Sequence, residues 1–246
     1  MQSKFLTGLI IATVSVASVF HATTASALQL SNSIWSEFNQ YVQRERLQLS
    51  GAELLELDPA SLRWANGVDN AEIYFINEGA GFRNALYYSV NNSPERLIWG
   101  DIASPNSILP ESNGPLTLGQ GFSLGSYQGD TQLSLSLAPN GSSTRRYGAV
   151  AANNPDGLQH MVAYNVNAGG ENWVLIGFED LFGPRGATGG ENQNSDRDFN
   201  DVVVAVRGVT GNAAVGVPEP SAMLALLGVG SFFGLRRRRQ STNEAQ

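Results

Sequence analysis

From about Ala71 onward, short apolar runs rich in Val, Ile, Leu, Phe and Tyr alternate with Gly, Asn, Pro and Asp clusters at intervals of about ten residues. The pattern predicts strands at 72–76, 85–90, 96–99, 116–124, 132–137, 145–150, 159–165, 173–178 and 201–207. Alternation is strictest in TQLSLSL, residues 131–137, where leucines take one face and polar side chains the other, as in a strand with one wet face. No helical run separates the later strands, which argues against βαβ crossovers. The expected fold is all-β: an antiparallel β-sandwich or jelly-roll. Residues 28–70 read instead as a short helical and irregular segment. There Ile34, Trp35, Phe38, Tyr41 and Val42 recur at helical spacing behind Asn32 and Ser33 as candidate caps, and Asp58-Pro59 marks a second helix start.

The two ends follow other rules. At the front, MQSK precedes the apolar stretch FLTGLIIATVSVASVF, and Ala25-Ser26-Ala27 forms an A-x-A cleavage signal, so residues 1–27 are expected to be a signal peptide. At the back, Val217-Pro218-Glu219-Pro220-Ser221 leads into a 14-residue apolar run, Ala222 to Leu235, and then Arg236, Arg237, Arg238 and Arg239. As a helix that run would extend about 21 Å against a hydrocarbon core of about 30 Å, a short span assisted by arginines that snorkel and stop transfer. Positive flanks stay in the cytoplasm, so the body between the two segments is expected to be exported. The expected order is therefore a signal peptide (1–27), a helical or irregular segment (28–70), a β-sandwich (71–208), a small-residue linker (209–217), a sorting tail with a short transmembrane helix (218–239) and a cytoplasmic end (240–246).

Charge narrows the chemistry of the body, residues 28–217. It holds ten Arg, no Lys and twenty Asp plus Glu, a net charge of −10. That balance argues against nucleic acid as a partner and agrees with cation binding. The chain has no Cys, its only Lys is Lys4, and the only His of the body is His160. Thiol nucleophiles, disulfides, Cys-based metal sites and Schiff-base lysines are thereby excluded from the body, and a Ser-His-Asp triad would have to use His160.

The densest chemistry lies in GFEDLFGPRGATGGENQNSDRDFNDVVVAVRG, residues 177–208, which places six acidic side chains between two apolar runs. If those runs are antiparallel neighbours, Glu179 and Asp180 at the end of one face the start of the other. In extended backbone Asp196, Asp198 and Asn200 would point to one side and Asp201 to the other. Oxygen donors so placed are half of a hard-cation cage that Glu179 or Asp180 could complete. Calcium suits it, because it takes six to eight oxygens in irregular geometry, whereas zinc favours His or Cys. Asp196-Arg197-Asp198-Phe199-Asn200 mimics the opening of an EF-hand loop, but the sixth position is Asp201 rather than Gly and the twelfth is Arg207 rather than Glu. The alternative is a solvated turn, since Asp and Asn accumulate in turns for reasons of their own.

Two stretches also resemble known families. VPEPS, the Gly-containing apolar run LLGVGSFFGL and RRRR, over residues 217–239, resemble the PEP-CTERM sorting signal. That resemblance implies export, retention in the inner membrane by the tail, and cleavage near Pro218, Glu219 and Pro220 by exosortase, followed by release or surface attachment. GFED with DRDFNDVVVAV, together with FINEGAGFRN (residues 75–84) and NPDGLQH (residues 154–160), resembles the bacterial surface family called domain of unknown function 4114, over about residues 71–208. It implies an extracellular β-rich module with an acidic, calcium-suited ending and no assigned activity. In this chain residues 182–195 form a longer insertion between the two acidic halves.

Other residues have competing readings. Asn77-Glu78 and Arg83-Asn84 flank a Gly-Ala-Gly turn and would close it by an ion pair or form a second polar site. His160 reads as a hydrogen-bonding residue at a strand edge ahead of a catalytic one. Trp35, Trp64, Trp99 and Trp173 read as buried anchors, although one exposed Trp would serve sugar stacking. The functional expectation is a non-enzymatic, exported, calcium-stabilised structural or adhesive protein of the cell surface or extracellular matrix. Signal peptidase and exosortase are its processing partners. The alternatives are a calcium-assisted carbohydrate-binding module for extracellular polysaccharide and a glycoside hydrolase using Glu179 with Asp198.

Overall fold

The computed structural model describes residues 28–42, 54–109 and 113–214. The signal peptide with Ala25 and Ala27, and the sorting tail with its apolar run and arginines, lie outside these residues. Among the described residues no helix is long and apolar enough to cross a membrane.

The chain opens with helix α1 (Asn32–Asn39) and continues through β1 (Leu55–Leu57), β2 (Arg63–Trp64), β3 (Ala71–Asn77), β4 (Asn84–Val90), β5 (Arg96–Ile102), β6 (Gly121–Gly125) and β7 (Leu133–Ala138). It then forms β8 (Tyr147–Gly148), β9 (Met161–Ala168), β10 (Glu171–Phe178), β11 (Thr188–Gly189), β12 (Asn192–Gln193), β13 (Val202–Arg207) and β14 (Val209–Thr210). A six-stranded sheet in the order β1-β9-β10-β13-β3-β6 packs on a four-stranded sheet in the order β5-β4-β7-β8, and short pairs β14-β2 and β11-β12 complete the fold. The pairings within these sheets are antiparallel, so the fold is the expected all-β sandwich.

Residue pattern and layer order agree. In β7 the leucines Leu133, Leu135 and Leu137 are buried and the intervening serines are half-buried, the arrangement of a strand with one face in the core. VVVAV of β13 has no alternation, and all five of these residues are buried because its sheet is covered on both faces. Ile73, Phe75, Val174, Ile176, Val204 and Val206 point into the core between the two sheets. On the reverse face, Tyr74, Trp173, Leu175, Val203 and Ala205 pack beneath α1 through Phe38. The Phe38 and Trp173 rings meet edge to face at 5.2 Å, and Trp35 Nε1 donates to the Ile76 carbonyl at 2.8 Å. Burial of each such aliphatic or aromatic side chain contributes about 1.5–3 kcal/mol, so α1 is held by this face more than by its own propensity over eight residues.

Several local expectations are corrected. Ser31, not Asn32 or Ser33, caps α1, its Oγ accepting from the Ile34 N–H. Asp58 does cap a turn by accepting from the Ala60 N–H, but only a single 3-10 turn, Pro59–Ser61, follows. Residues 55–57 and 63–64, expected to be helical or irregular, are strands because β9 and β14 offer them edges to pair with. The strand expected at 116–124 is regular only from Gly121, although Gly119 and Gln120 already bond to Phe75, and that at 145–150 covers only Tyr147–Gly148.

Candidate cation site

Antiparallel pairing puts one end of four strands side by side. Phe178 of β10 lies opposite Met161 of β9 and Val202 of β13, and Val203 lies opposite Asn77 of β3. The residues just beyond these ends are His160, Glu179, Asp201 and Glu78, so the sheet itself delivers carboxylates from distant parts of the chain to one place. Glu78 and Glu179 are fully buried, Asp180 and Asp198 nearly so, and Asp201 is 6 % exposed.

Within this group, Glu179, Asp196 and Asp198 each bring one carboxylate oxygen to within 4.8 Å of the others. Two oxygens bound to one calcium at about 2.4 Å can lie no more than about 4.8 Å apart, so one ion fits this separation. The carboxylates do not reach it by the extended backbone expected for 196–201. Arg197 and Phe199 have positive φ, 54° and 59°, and these two left-handed residues fold the segment around Asp198. Asn200 and Asp201 therefore do not continue an even–odd alternation. Asn200 donates its backbone N–H to Asp198 Oδ1 at 3.1 Å, while Asp201 Oδ2 accepts the Asp180 N–H at 2.7 Å. Asp180 Oδ2 in turn accepts from Asn84 Nδ2 at 2.6 Å. Of the six sequence candidates, Glu179, Asp196 and Asp198 form a convergent trio, Asp180 and Asp201 an adjacent pair, and the buried Asn200 bonds Asp198 through its backbone.

Glu179 is the most constrained member. Its Oε1 accepts from Ser195 Oγ at 2.7 Å, whereas Oε2 is buried without a hydrogen-bond partner. An unpartnered carboxylate oxygen in the interior is costly, and a cation is one remedy. Burial raises the Glu179 carboxyl above its ordinary range, reinforced by Asp196 and Asp198 and opposed by Ser195 and Arg197. Burial likewise pushes Asp180 up to about 7, with Glu179, Asp196 and Asp198 adding to it and Asn84 opposing. Asp201 is driven well up by burial and by Asp180. Arg197 is the built-in countercharge: its guanidinium stacks 5.1 Å over the Phe199 ring and donates to the Gln159 carbonyl. The donor set is all oxygen, which suits calcium and not zinc.

A second layer of contacts holds the trio in place. His160 is fully buried and stacks on Tyr147 at 3.7 Å, its rings within 2° of parallel. Its Nδ1 lies 2.8 Å from the Glu179 carbonyl, and its Nε2 lies 3.0 and 2.9 Å from the two Asp156 oxygens. The His160 carbonyl accepts the Glu179 N–H at 3.0 Å, so this residue braces both sides of the Glu179 backbone. Burial would raise the Asp156 carboxyl, but hydrogen bonds from Gly183, His160 and Leu158 outweigh it and hold it low. The insertion at 182–195 is likewise strapped down. The Gln193 N–H donates to the Phe182 carbonyl at 3.0 Å and the Gly186 N–H to that of Ser195 at 2.8 Å, while Arg145 lies 4.9 Å over the Phe182 ring. Gly183 is required at its turn: its φ is 100°, and a Cβ there would lie 2.2 Å from Asn192 Oδ1.

The remaining candidates resolve differently. Arg83 pairs with Asp101 across the four-stranded sheet. Trp64, Trp99 and Trp173 are buried, and Trp35 is half-buried with its indole N–H engaged. Sequence reasoning did not single out Ser195, Arg197 or Asp156. Asp156 lies in NPDGLQH and Arg197 in DRDFND, but nothing local marks Ser195 as the donor to Glu179 sixteen residues away.

No curated protein and no solved structure matches the chain. The family match begins later than the expected resemblance and leaves the stretch around residues 75–84 outside it. Residues 119–209, which carry the Glu179–Asp201 constellation, match the family model described as Domain of unknown function (DUF4114), and residues 216–239 match the PEP-CTERM protein-sorting motif.

Proposed function

We propose that the protein is a calcium-stabilised structural or adhesive module of the cell surface or extracellular matrix. The PEP-CTERM motif points to an exported surface protein processed by exosortase. The calcium reading is carried by one observation, the buried and unpartnered Glu179 Oε2 beside the carboxylates of Asp196 and Asp198. When bound, the ion supplies no reaction. It neutralises carboxylates that otherwise repel, and it ties the end of β10 to the loop that opens β13. Glu179, Asp196 and Asp198 would hold it, with Ser195 orienting Glu179 and His160 fixing its backbone.

Thermal melting tests this reading. A ligand that binds only the folded state at a hundredfold excess over its Kd stabilises by about 2.7 kcal/mol, which for a chain of this size raises the midpoint by about 5–10 °C. The purified chain is expected to show such a rise with calcium relative to chelator, with a smaller one for magnesium. In Asp198→Ala the rise is expected to vanish. Equal midpoints with calcium and with chelator would sink the reading.

A further inference from the structure

Beside the trio lies a cavity of about 580 Å³, within the size range of small-ligand sites. Asp196 belongs both to the trio and to the cavity wall, whereas Glu179 and Asp198 are buried and do not line it. Three carboxylate oxygens leave a calcium ion short of its six to eight, and the accessible member of the trio is the one that faces this cavity. Resting on the calcium reading, we propose that the cavity binds a neutral glycan through a pair of adjacent hydroxyls that complete the coordination of the ion.

The wall chemistry selects this ligand class. Asp180 and Asp201 also border the cavity, so a group bound there meets hydrogen-bond acceptors next to a cation. A hydroxyl satisfies both at once, its lone pair toward the ion and its proton toward a carboxylate. A carboxylate or phosphate ligand cannot donate in this way, and among the described lining residues it would face Asp180, Asp196 and Asp201 with Arg185 as the one cation. Gln193 and Asn194 supply amides at the rim, and the half-buried Phe82 ring offers an apolar surface for the face of a sugar. The rim is bare at Gly81 and Gly186, where an added Cβ would find nothing within 4 Å. These features place a stacking aromatic at Phe82, not at any of the four tryptophans.

The test is isothermal titration of the purified full-length protein with mannotriose, galactotriose, maltotriose and glucuronate, with saturating calcium and with chelator. At least one neutral trisaccharide is expected to bind with calcium, to lose binding on chelation, and to bind more tightly than glucuronate. Gly81→Trp fills open space at the rim, so it is expected to keep the calcium-induced midpoint rise while weakening sugar binding at least tenfold. Phe82→Ala is expected to weaken it in the same direction. A preserved calcium rise with no binding of any neutral sugar overturns this proposal and leaves the calcium reading standing. Binding that survives chelation or Gly81→Trp, or that favours glucuronate, also overturns it. Absence of the calcium rise overturns both.

Discussion

At the scale of single residues, the balance at Glu179 decides how the site behaves. One carboxylate oxygen is held by Ser195 and the other has no donor, while Arg197 and the surrounding acids pull its proton affinity in opposite directions. In the calcium reading, protons and the cation compete for the same oxygens, and pH exposes the competition. Asp180 rises from about 3.9 in the unfolded chain to about 7 when folded, and Glu179 and Asp201 shift in the same direction. Groups raised in this way stabilise the fold while protonated and lose that contribution as pH rises through the folded value. His160 acts with the opposite sign: burial depresses its imidazole despite the pull of Asp156, so its penalty grows as pH falls below about 6.5. Between pH 6.5 and 8 the histidine penalty fades and the carboxylates carry the larger change. In chelator the melting midpoint is expected to fall across that window, and with calcium the fall should flatten. A midpoint in chelator that stays level or climbs across the window would contradict the assignment.

At the scale of elements, legibility followed how many neighbours each segment needs. The strand β7 was readable from its leucine alternation because one of its faces is wet, and β10 and β13 from their unbroken apolar runs. The short strand β1 was not, because three residues acquire strand character only by lying against Asn165, Tyr164 and Ala163 of β9. Helix α1 was readable from its apolar spacing, but the surface it covers was not. Its anchor, Phe38, is fully buried against Trp173. Phe38→Ala is expected to cost about 3–5 kcal/mol and to expose the outer face of the six-stranded sheet. Denaturant melts and dye binding to apolar surface would check this, and a loss below about 1 kcal/mol would show that α1 is not anchored there. The hairpin β11–β12 illustrates a third case. Its Gly- and Asn-rich sequence reads as slack, yet backbone bonds at both ends and the Arg145 contact with Phe182 make it a strap between the two halves of the site.

At the scale of the whole molecule, the last described residues run along the outer edge of β1 and head away from the end of the sheet that holds the acids. Asn212 and Ala214 bond to Asp58 and Glu56, so this segment runs antiparallel to β1, away from the Phe178–Val202 end that holds the acids. Three residues then separate Ala214 from Pro218 of the matched sorting motif, a reach of at most about 14 Å. The unprocessed protein is thus expected to turn its acidic end away from the membrane. Because the chain has no cysteine, single probes are clean. In vesicles carrying the full chain, a fluorophore at Asn172→Cys should be quenched by a lipid-borne quencher more strongly than one at Arg185→Cys, and equal quenching would refute the orientation. By itself the sequence determined the β-rich class, the acidic, cysteine-free chemistry that favours oxygen ligands, and the sorting motif, because each is carried by local pattern or by residue type. The tertiary structure alone decided that Glu179, Asp196 and Asp198 bring carboxylate oxygens together, with Asp180 and Asp201 hydrogen-bonded to each other beside them. That choice depends on strand register, on two left-handed residues, and on a serine and a histidine that approach Glu179 only when the sheets close.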